Sequence, residues 1–247
     1  MGRQRWMLIA GALLLSCSVL LYLADYALFH DLRYLLVTLV GNLAFLPLEV
    51  LLVVLILERL LAEREKKGLL AKMNMLIGMF FSDLGIELLG KLTAAIQGKD
   101  ELRPRLAVSK DWTSRDYAAA EDFVKHFAGA VDVGQLDLSR LRDLLVGHRA
   151  LLARLLANPN LLEHEEFTEL LWAVSHLREE LAARPSLDGL PESDRQHLAG
   201  DVRRVYAHLT LEWLRYCRHL QSAYPYIFSI VVRTHPLQER PDAVVRS

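Results

Sequence analysis

The composition of this chain argues against a nucleic-acid partner and against a disulfide-rich fold. Its 247 residues include 29 Lys and Arg and 30 Asp and Glu, so the basic surplus typical of a nucleic-acid binder is absent. The only cysteines, Cys17 and Cys217, lack the spacing of a metal knuckle or a redox pair. The hydrophobic content of 53% is high for a soluble protein, and the excess lies almost wholly before residue 60.

Two long apolar segments near the N-terminus predict a pair of membrane spans, at residues 6–28 and 35–57. Each is close to the ~20 residues that cross ~30 Å of hydrocarbon. The first is longer than the apolar core of a signal peptide, and Ala24 begins a poor cleavage site. We therefore interpret both segments as retained helices that form a transmembrane hairpin over residues 1–61.

The charges that flank the two spans predict their orientation. Basic residues precede the first span and follow the second, namely Arg3, Arg5, Arg59, Arg64, Lys66 and Lys67. Because positive charge is retained on the cytoplasmic side, we expect a multi-pass protein of the cytoplasmic membrane with both termini in the cytoplasm. The external loop, residues 30–34, is too short to fold into a sensor domain.

Both spans carry polar residues on one helical face. In the first span these include the candidate inter-helix residues Ser18, Tyr22 and Asp25, and in the second span they are Thr38, Asn42 and Glu49. Helices in hydrocarbon associate through close packing and hydrogen bonds, so these stripes predict helix contacts. The protein is expected to form a homo-oligomer in the lipid bilayer.

Glu49 is the residue of the second span that most needs an explanation. An ionisable group inside a span is costly, and this one follows Pro47, which removes a backbone donor. One interpretation places Glu49 in a ring of carboxylates that lines a cation pore together with Thr38 and Asn42. The alternative is a protonated carboxyl group that is hydrogen-bonded to the first span or that reaches toward the cytoplasmic interface.

After the second span the apolar residues recur every three or four positions as far as Leu92. This pattern predicts one continuous helix that leaves the membrane and forms a juxtamembrane spine over residues 62–97. The aromatic and methionine residues between Met73 and Phe81 favour core packing over a pocket for an apolar ligand.

Two segments resemble a known group of proteins. They are EVLLVVLILERLLAEREKKGLLAKMNMLIGMFFSDLG, which begins at Glu49, and YPYIFSIVVRTHPL, which begins at Tyr224. Both are similar to segments of uncharacterised prokaryotic two-span membrane proteins. The resemblance implies no activity and no residue roles, and His235 stands where the pattern leads us to expect an asparagine.

Residues 98–236 show helical spacing and no sustained alternation of apolar and polar residues, which predicts a cytoplasmic helical domain. Residues 98–112 are interpreted as a connection, and residues 237–247 as a flexible tail. Four helices are expected in this domain. The first is Arg115–Ala130, after a cap at Thr113 or Ser114, and the second runs from Asp137 or Ser139 to Asn158. The third is Glu163–Ala183, and the fourth runs from a capping box at Ser193 to Ala223. The fold class is therefore all-α, with a transmembrane hairpin that continues by a long helix into a cytoplasmic helical bundle.

The segment that begins at Tyr224 is unusually apolar for a surface position. Pro225 suits the first turn of a further short helix. This helix is expected either to dock on the spine near Phe80 and Phe81, which we favour, or to lie at the membrane interface, where Tyr224 and Tyr226 are suited.

No pattern in the chain predicts catalysis. Two of the nine histidines share a helix face with a glutamate four residues later, His176 with Glu180 and His208 with Glu212. This is the spacing of ordinary surface pairs. Glu-x-x-His, HExxH, G-x-S-x-G and phosphate-loop motifs are absent from the sequence. We expect no metal, no cofactor and no enzymatic activity.

Two functions remain. The first is a non-enzymatic oligomeric anchor or scaffold that presents its helical domain to a cytoplasmic protein partner. The alternative is a homo-oligomeric ion channel in which the second spans surround the axis and Glu49 forms the selectivity ring.

Overall fold

The computed structural model of the protein describes residues 2–127, 129–161, 164–238 and 241–244, and over these residues the fold is all-helical. No β-strand occurs in these ranges, and β-type pairing is limited to one isolated antiparallel bridge between Ile96 and Val131. The α-helices are α1 (Gly2–Phe29), α2 (Leu32–Phe80), α3 (Ile86–Ala95), α4 (Lys99–Leu106), α5 (Ser114–His126), α6 (Leu138–Gly147), α7 (Arg149–Leu156), α8 (Glu165–Ala183), α9 (Glu192–Ala223) and α10 (Pro225–Thr234).

The chain divides into two compact units, residues 1–66 and residues 67–247. The division falls within α2, between residues 66 and 67. The predicted spine, residues 62–97, is therefore divided, with its first five residues in the first unit and the rest in the second. The prediction of a helical bundle is confirmed in the second unit.

In the first unit, α1 and α2 are joined by a two-residue turn. His30 has a φ of 53°, in the left-handed region that reverses a chain in little space. The Asp31 carboxylate then accepts a hydrogen bond of 3.0 Å from the Tyr34 amide and caps the start of α2. Because of this cap, α2 begins at Leu32, earlier than the span predicted from Leu35.

The helical conformation expected as far as Leu92 is interrupted by a single π-helical turn, Phe81–Gly85. The buried residues on both sides recur at steps of four, as in Phe80, Leu84, Leu88 and Leu92. A step of four residues drifts by about 40° per repeat in an α-helix with 3.6 residues per turn. The wider turn absorbs part of this drift and keeps the large side chains in the core.

Helix α9 lies at the centre of the second unit, where it packs against α3, α5, α8 and α10. Its Trp213 is fully buried, with its ring centroid 5.6 Å from that of Phe81. Phe81 in turn stacks on Tyr216 at 5.0 Å, and Phe80 meets Phe167 of α8 edge-on at 5.4 Å. Phe80 and Phe81 are therefore core residues, as the sequence predicts.

The interpretation of residues 98–112 as a connection is wrong, because Lys99–Leu106 forms α4. Leu102 and Leu106 lie one turn apart and are fully buried, so burial outweighs the unfavourable Pro104 inside the helix. Arg105 adds a cation–π contact, with its guanidinium carbon 4.7 Å from the centre of the Phe123 ring.

The boundaries of the next helices are only partly as predicted. The Thr113 cap is confirmed, since its amide donates to Asp116 at 2.6 Å, but α5 ends at His126 and not at Ala130. The second predicted helix is two helices, α6 and α7, which meet at His148. The third begins at Glu165, and its predicted first residue, Glu163, lies outside the described residues.

The predicted capping box at Ser193 is wrong. Helix α9 begins one residue earlier, at Glu192, with Pro191 at the cap position and no side-chain cap. Ser193 is therefore already inside the helix, where its hydroxyl group cannot act as the cap.

The late apolar segment forms α10, with Pro225 in its first turn as expected. Phe228, Val231 and Val232 are buried, and Pro236 lies so close to Gly90 of α3 that a β-carbon there would be 3.2 Å from the Pro236 Cβ. Helix α10 itself packs against α9, and the segment reaches the spine at Gly90 through Pro236, which follows the helix. The docking of the helix that we favoured, near Phe80 and Phe81, is therefore not the main contact of α10.

The flexible tail predicted from residue 237 does not begin there. Leu237 is fully buried. The side-chain amide of Gln238 donates hydrogen bonds to the carbonyl oxygens of Val108, at 3.3 Å, and Val232, at 2.9 Å. Residues 239–240 and 245–247 of the predicted tail lie outside the described residues.

Candidate functional site

The structure brings some of the predicted polar residues of the first unit together near the turn. Tyr22 and Asp25 of α1 and Thr38 of α2 are half-buried, in contrast to most of the two helices. A cavity of about 320 Å³ lies between the helices at the same level, lined by Val19, Tyr22, Leu23, Tyr26, Leu32 and Leu35. Thr38 thus lies on the side of α2 that α1 partly covers.

The other predicted polar residues of the first unit are exposed. Ser18, Asn42 and Glu49 are not covered by the neighbouring helix. Among the described residues Glu49 has no hydrogen bond or ion pair to α1, so the hydrogen bond considered for it is not formed within this chain.

In the second unit four side chains from α8 and α9 form what we term the histidine–carboxylate cluster: His176, Glu180, His197 and Asp201. The Nε2 atoms of His176 and His197 lie 3.5 and 3.4 Å from Asp201 Oδ2. His197 Nε2 is also 3.3 Å from Glu180 Oε2, and His176 Nε2 is 3.9 Å from Glu180 Oε1. Two imidazoles and two carboxylates thus converge from facing helices.

Two arginines hold the carboxylates of this cluster. Arg204 donates to Asp201 Oδ1 at 3.0 Å, while Asp201 Oδ2 has no hydrogen-bond partner although its side chain is only 4% exposed. Arg184 donates to Glu180 at 2.8 Å and binds Asp194 through two hydrogen bonds. The hydrogen bond from Arg184 lowers the pKa of Glu180, so this carboxylate is ionised at neutral pH.

A second group, at the start of α8, brings together His164, Glu166, Glu212 and Arg215. Arg215 donates to both oxygens of Glu166 and, at 2.7 Å, to Glu212, so the carboxylates are already paired. His164 Nδ1 accepts a hydrogen bond of 3.1 Å from the Phe167 amide and caps α8. This cap requires the proton on Nε2, which prevents that nitrogen from binding a metal ion.

The pKa values of the two glutamates of this group shift in opposite directions. Glu212 is 2% exposed, and desolvation raises its pKa, whereas the hydrogen bond from Arg215 lowers the pKa of Glu166. The arrangement is a closed ion-pair network that ties α9 to the start of α8.

The comparisons with known proteins agree over nearly the whole chain. The family model described as "Uncharacterized protein MJ1433, C-terminal helical domain" matches residues 69–233, and the one described as "MJ1433, N-terminal helical domain" matches residues 2–61. The protein "Uncharacterized protein MJ1433" of Methanocaldococcus jannaschii is 40% identical over 240 residues, which cover 97% of this chain and 96% of the relative. The chain belongs to the MJ1433 family.

The resemblance to an uncharacterised family is thereby confirmed. Both descriptions of the MJ1433 family name helical domains, which agrees with the all-helical fold. No solved structure matches the chain.

The sequence does not predict the histidine–carboxylate cluster, although it contains a signal for it. His176 and Glu180 are four residues apart in α8, and His197 and Asp201 are four residues apart in α9. Each pair alone has the spacing of an ordinary surface contact within one helix. The informative pattern is the repetition of a histidine followed four residues later by an acid on two consecutive helices.

Proposed function

We propose that this protein is a two-span membrane anchor that forms homo-oligomers and presents its helical domain, residues 67–247, to a cytoplasmic protein partner. The observation that carries the proposal is the length and exposure of the two apolar helices. Within the stretches Arg5–Phe29 and Leu32–Lys66, the most apolar windows have mean hydropathies of 2.3 and 2.4 and are 0% buried. Length and composition permit such helices to cross a bilayer, which would cover this apolar surface.

The exposed polar residues of α2 support self-association. In hydrocarbon, an asparagine and a glutamate without partners are costly, and α1 covers neither Asn42 nor Glu49. A second copy of the same helix would offer hydrogen-bonding groups at the same depth. We propose that α2 packs against α2 of another subunit along the face that carries these two residues.

The alternative function is a cation channel. The exposure of Glu49 supports this alternative, because the carboxylate is free to line a pore. If several α2 helices surround an axis, Thr38, Asn42 and Glu49 would line the pore, and the carboxylates would attract cations. In the anchor the same face is closed by helix packing and conducts nothing. The two functions therefore share an interface and differ in the number of subunits.

Disulfide cross-linking of the full-length protein in its native membrane tests the interface. Cys17→Ser and Cys217→Ala give a background without cysteine, into which Asn42→Cys or Glu49→Cys is introduced. We expect cross-linked dimers at both positions. The matched controls are Ala44→Cys and Leu51→Cys, each two residues away and thus about 200° around the helix, and these should remain monomeric.

Equal cross-linking at all four positions, or none at Asn42 and Glu49, would contradict the proposed interface. The variant Glu49→Gln, reconstituted in planar bilayers beside the parent protein, then separates the two functions. An anchor shows no conductance in either form. A channel conducts in the parent protein and loses selectivity for cations in the variant, which would replace the anchor by the alternative.

A further inference from the structure

We propose that the histidine–carboxylate cluster binds one divalent transition-metal ion, with Zn²⁺ as its reference ligand, through His176, His197 and Asp201. These three side chains place a ligand atom each within 4.8 Å of the others. The inference stands on the second unit alone and does not depend on the proposed membrane function.

The distances within the cluster are those of a coordination shell. Zn²⁺ holds nitrogen and oxygen ligands at about 2.0–2.1 Å, so neighbouring ligand atoms of a tetrahedral site are about 3.3–3.4 Å apart. Asp201 Oδ2 is 3.5 Å from the Nε2 atom of His176 and 3.4 Å from that of His197. The third distance, between the two imidazoles, is within 4.8 Å, and rotation of these half-exposed side chains can close the three atoms around an ion.

The buried carboxylate of Asp201 supports the metal site independently of the distances. Its side chain is 4% exposed, and its Oδ2 has no hydrogen-bond partner, which is costly for a buried carboxylate oxygen. Arg204 holds the other oxygen, Oδ1, at 3.0 Å and thereby fixes the direction of Oδ2. An oxygen that is oriented in this way and aimed at two imidazole nitrogens has the environment of a metal ligand.

The backbone beneath the cluster is suited to hold it in place. The ligands come from α8 and α9, which form the most extensive helix–helix contact in the described residues. Two turns of rigid helix therefore set the spacing, and little conformational entropy is lost when the ion binds.

Glu180 lies beside the three proposed ligands but is not one of them. Its Oε2 is 3.3 Å from His197 Nε2, but Arg184 already donates a hydrogen bond of 2.8 Å to this carboxylate. We infer that the fourth position is open to water, with Glu180 beside it as a hydrogen-bond acceptor. Two imidazoles and one carboxylate favour Zn²⁺ and its neighbours in the first transition row over Mg²⁺ or Ca²⁺, which prefer oxygen ligands.

The test is metal binding by the detergent-purified full-length protein after treatment with EDTA and removal of the chelator. Titration with ZnCl₂ at pH 7.5, followed by calorimetry, should show one ion per chain. Co²⁺, used as a spectroscopic substitute, should give visible d–d absorption of a four-coordinate nitrogen and oxygen site.

The variants are His176→Gln and His197→Gln, which change half-exposed side chains and leave the buried carboxylate in place. Each should weaken Zn²⁺ binding by about 100-fold or more, since loss of an outer-shell contact alone costs 10–100-fold. The matched control is His208→Gln, which removes another histidine of α9, one that lies near Glu169 and outside the cluster. This control should bind Zn²⁺ and Co²⁺ as the parent does.

Circular dichroism of each variant establishes that the helical fold is retained before binding is compared. A parent protein that shows no saturable binding would overturn the proposal. So would a double variant, His176→Gln with His197→Gln, that is folded and still binds one ion with parental affinity, because the ion would then be held elsewhere.

Discussion

His235 is an imidazole that is fully buried in the core of the second unit. Its ring centroid is 5.7 Å from that of Trp213. Burial lowers the pKa of His235 to about 4, since the charged form loses its hydration. The side chain is therefore neutral in the folded protein at physiological pH.

This lowered pKa makes the stability of the second unit depend on pH. In the unfolded chain the imidazole has its ordinary pKa of about 6.5, so between this value and about 4 the unfolded state binds a proton that the folded state does not. The contribution of His235 is fully present above about pH 6.5 and is lost as the pH falls toward 4. Its upper limit is about 3 kcal/mol, at 1.36 kcal/mol per unit of pKa.

The substitution His235→Asn should remove this dependence. We expect the free energy of unfolding, measured by urea titration at several pH values, to fall less steeply between pH 6.5 and 4 in the variant than in the parent. The control is His126→Asn, because the side chain of His126 is 76% exposed and its replacement should leave the slope unchanged. Equal slopes for His235→Asn and the parent would show that another group causes the dependence.

At the scale of the element, the π-helical turn Phe81–Gly85 depends on a residue without a side chain. A β-carbon on Gly85 would lie 2.6 Å from Cδ1 of Phe81 and 2.9 Å from Cε1 of Phe80. Both rings are fully buried, Phe80 against Phe167 of α8 and Phe81 against Trp213 of α9. Gly85 is thus required for the aromatic packing at this point of the core.

We expect Gly85→Ala to reduce the free energy of unfolding by about 1–3 kcal/mol, the usual cost of overpacking a core. The matched control is Gly200→Ala in α9, where a β-carbon would meet nothing within 4 Å. There the alanine should be neutral or should stabilise the helix by about 0.5–1 kcal/mol, because glycine is the poorer helix former. Urea unfolding of both variants measures the difference, and a neutral Gly85→Ala would contradict the packing argument.

The elements also show what could be predicted from the sequence. Helical spacing and local signals were sufficient for α8, for the Thr113 cap of α5 and for Pro225 at the start of α10, because each depends on residues within a few positions of one another. Helix α4 was missed because tertiary burial of Leu102 and Leu106 outweighs Pro104. The histidine–carboxylate cluster was missed because it depends on the register between α8 and α9, which no spacing along one helix reveals.

At the scale of the whole molecule, the proposed topology places residues 67–247 in the cytoplasm and the turn at His30 outside. Two single cysteines test it in the background without Cys17 and Cys217. We expect a membrane-impermeant maleimide added to intact cells to label His30→Cys. Ser186→Cys, at an exposed site between α8 and α9, should be labelled only after the cells are permeabilised.

The cysteine-free parent is the control for unspecific labelling. Labelling of Ser186→Cys in intact cells would mean that the domain faces outward, and the cytoplasmic partner would then be excluded. Labelling of neither variant in intact cells would contradict the external position of the turn.

The central position of α9 has a consequence for how the protein is made. Helix α3 packs against α9, but residues 96–191 must be synthesised between them, which takes about 5 to 20 s at 5–20 residues per second. During this interval Phe80, Phe81 and the leucines of α3 are already part of the chain, but the helix that later covers them does not yet exist. The second unit therefore completes its core late in translation, and until then its earliest helices are open to chaperones, to one another and to neighbouring nascent chains.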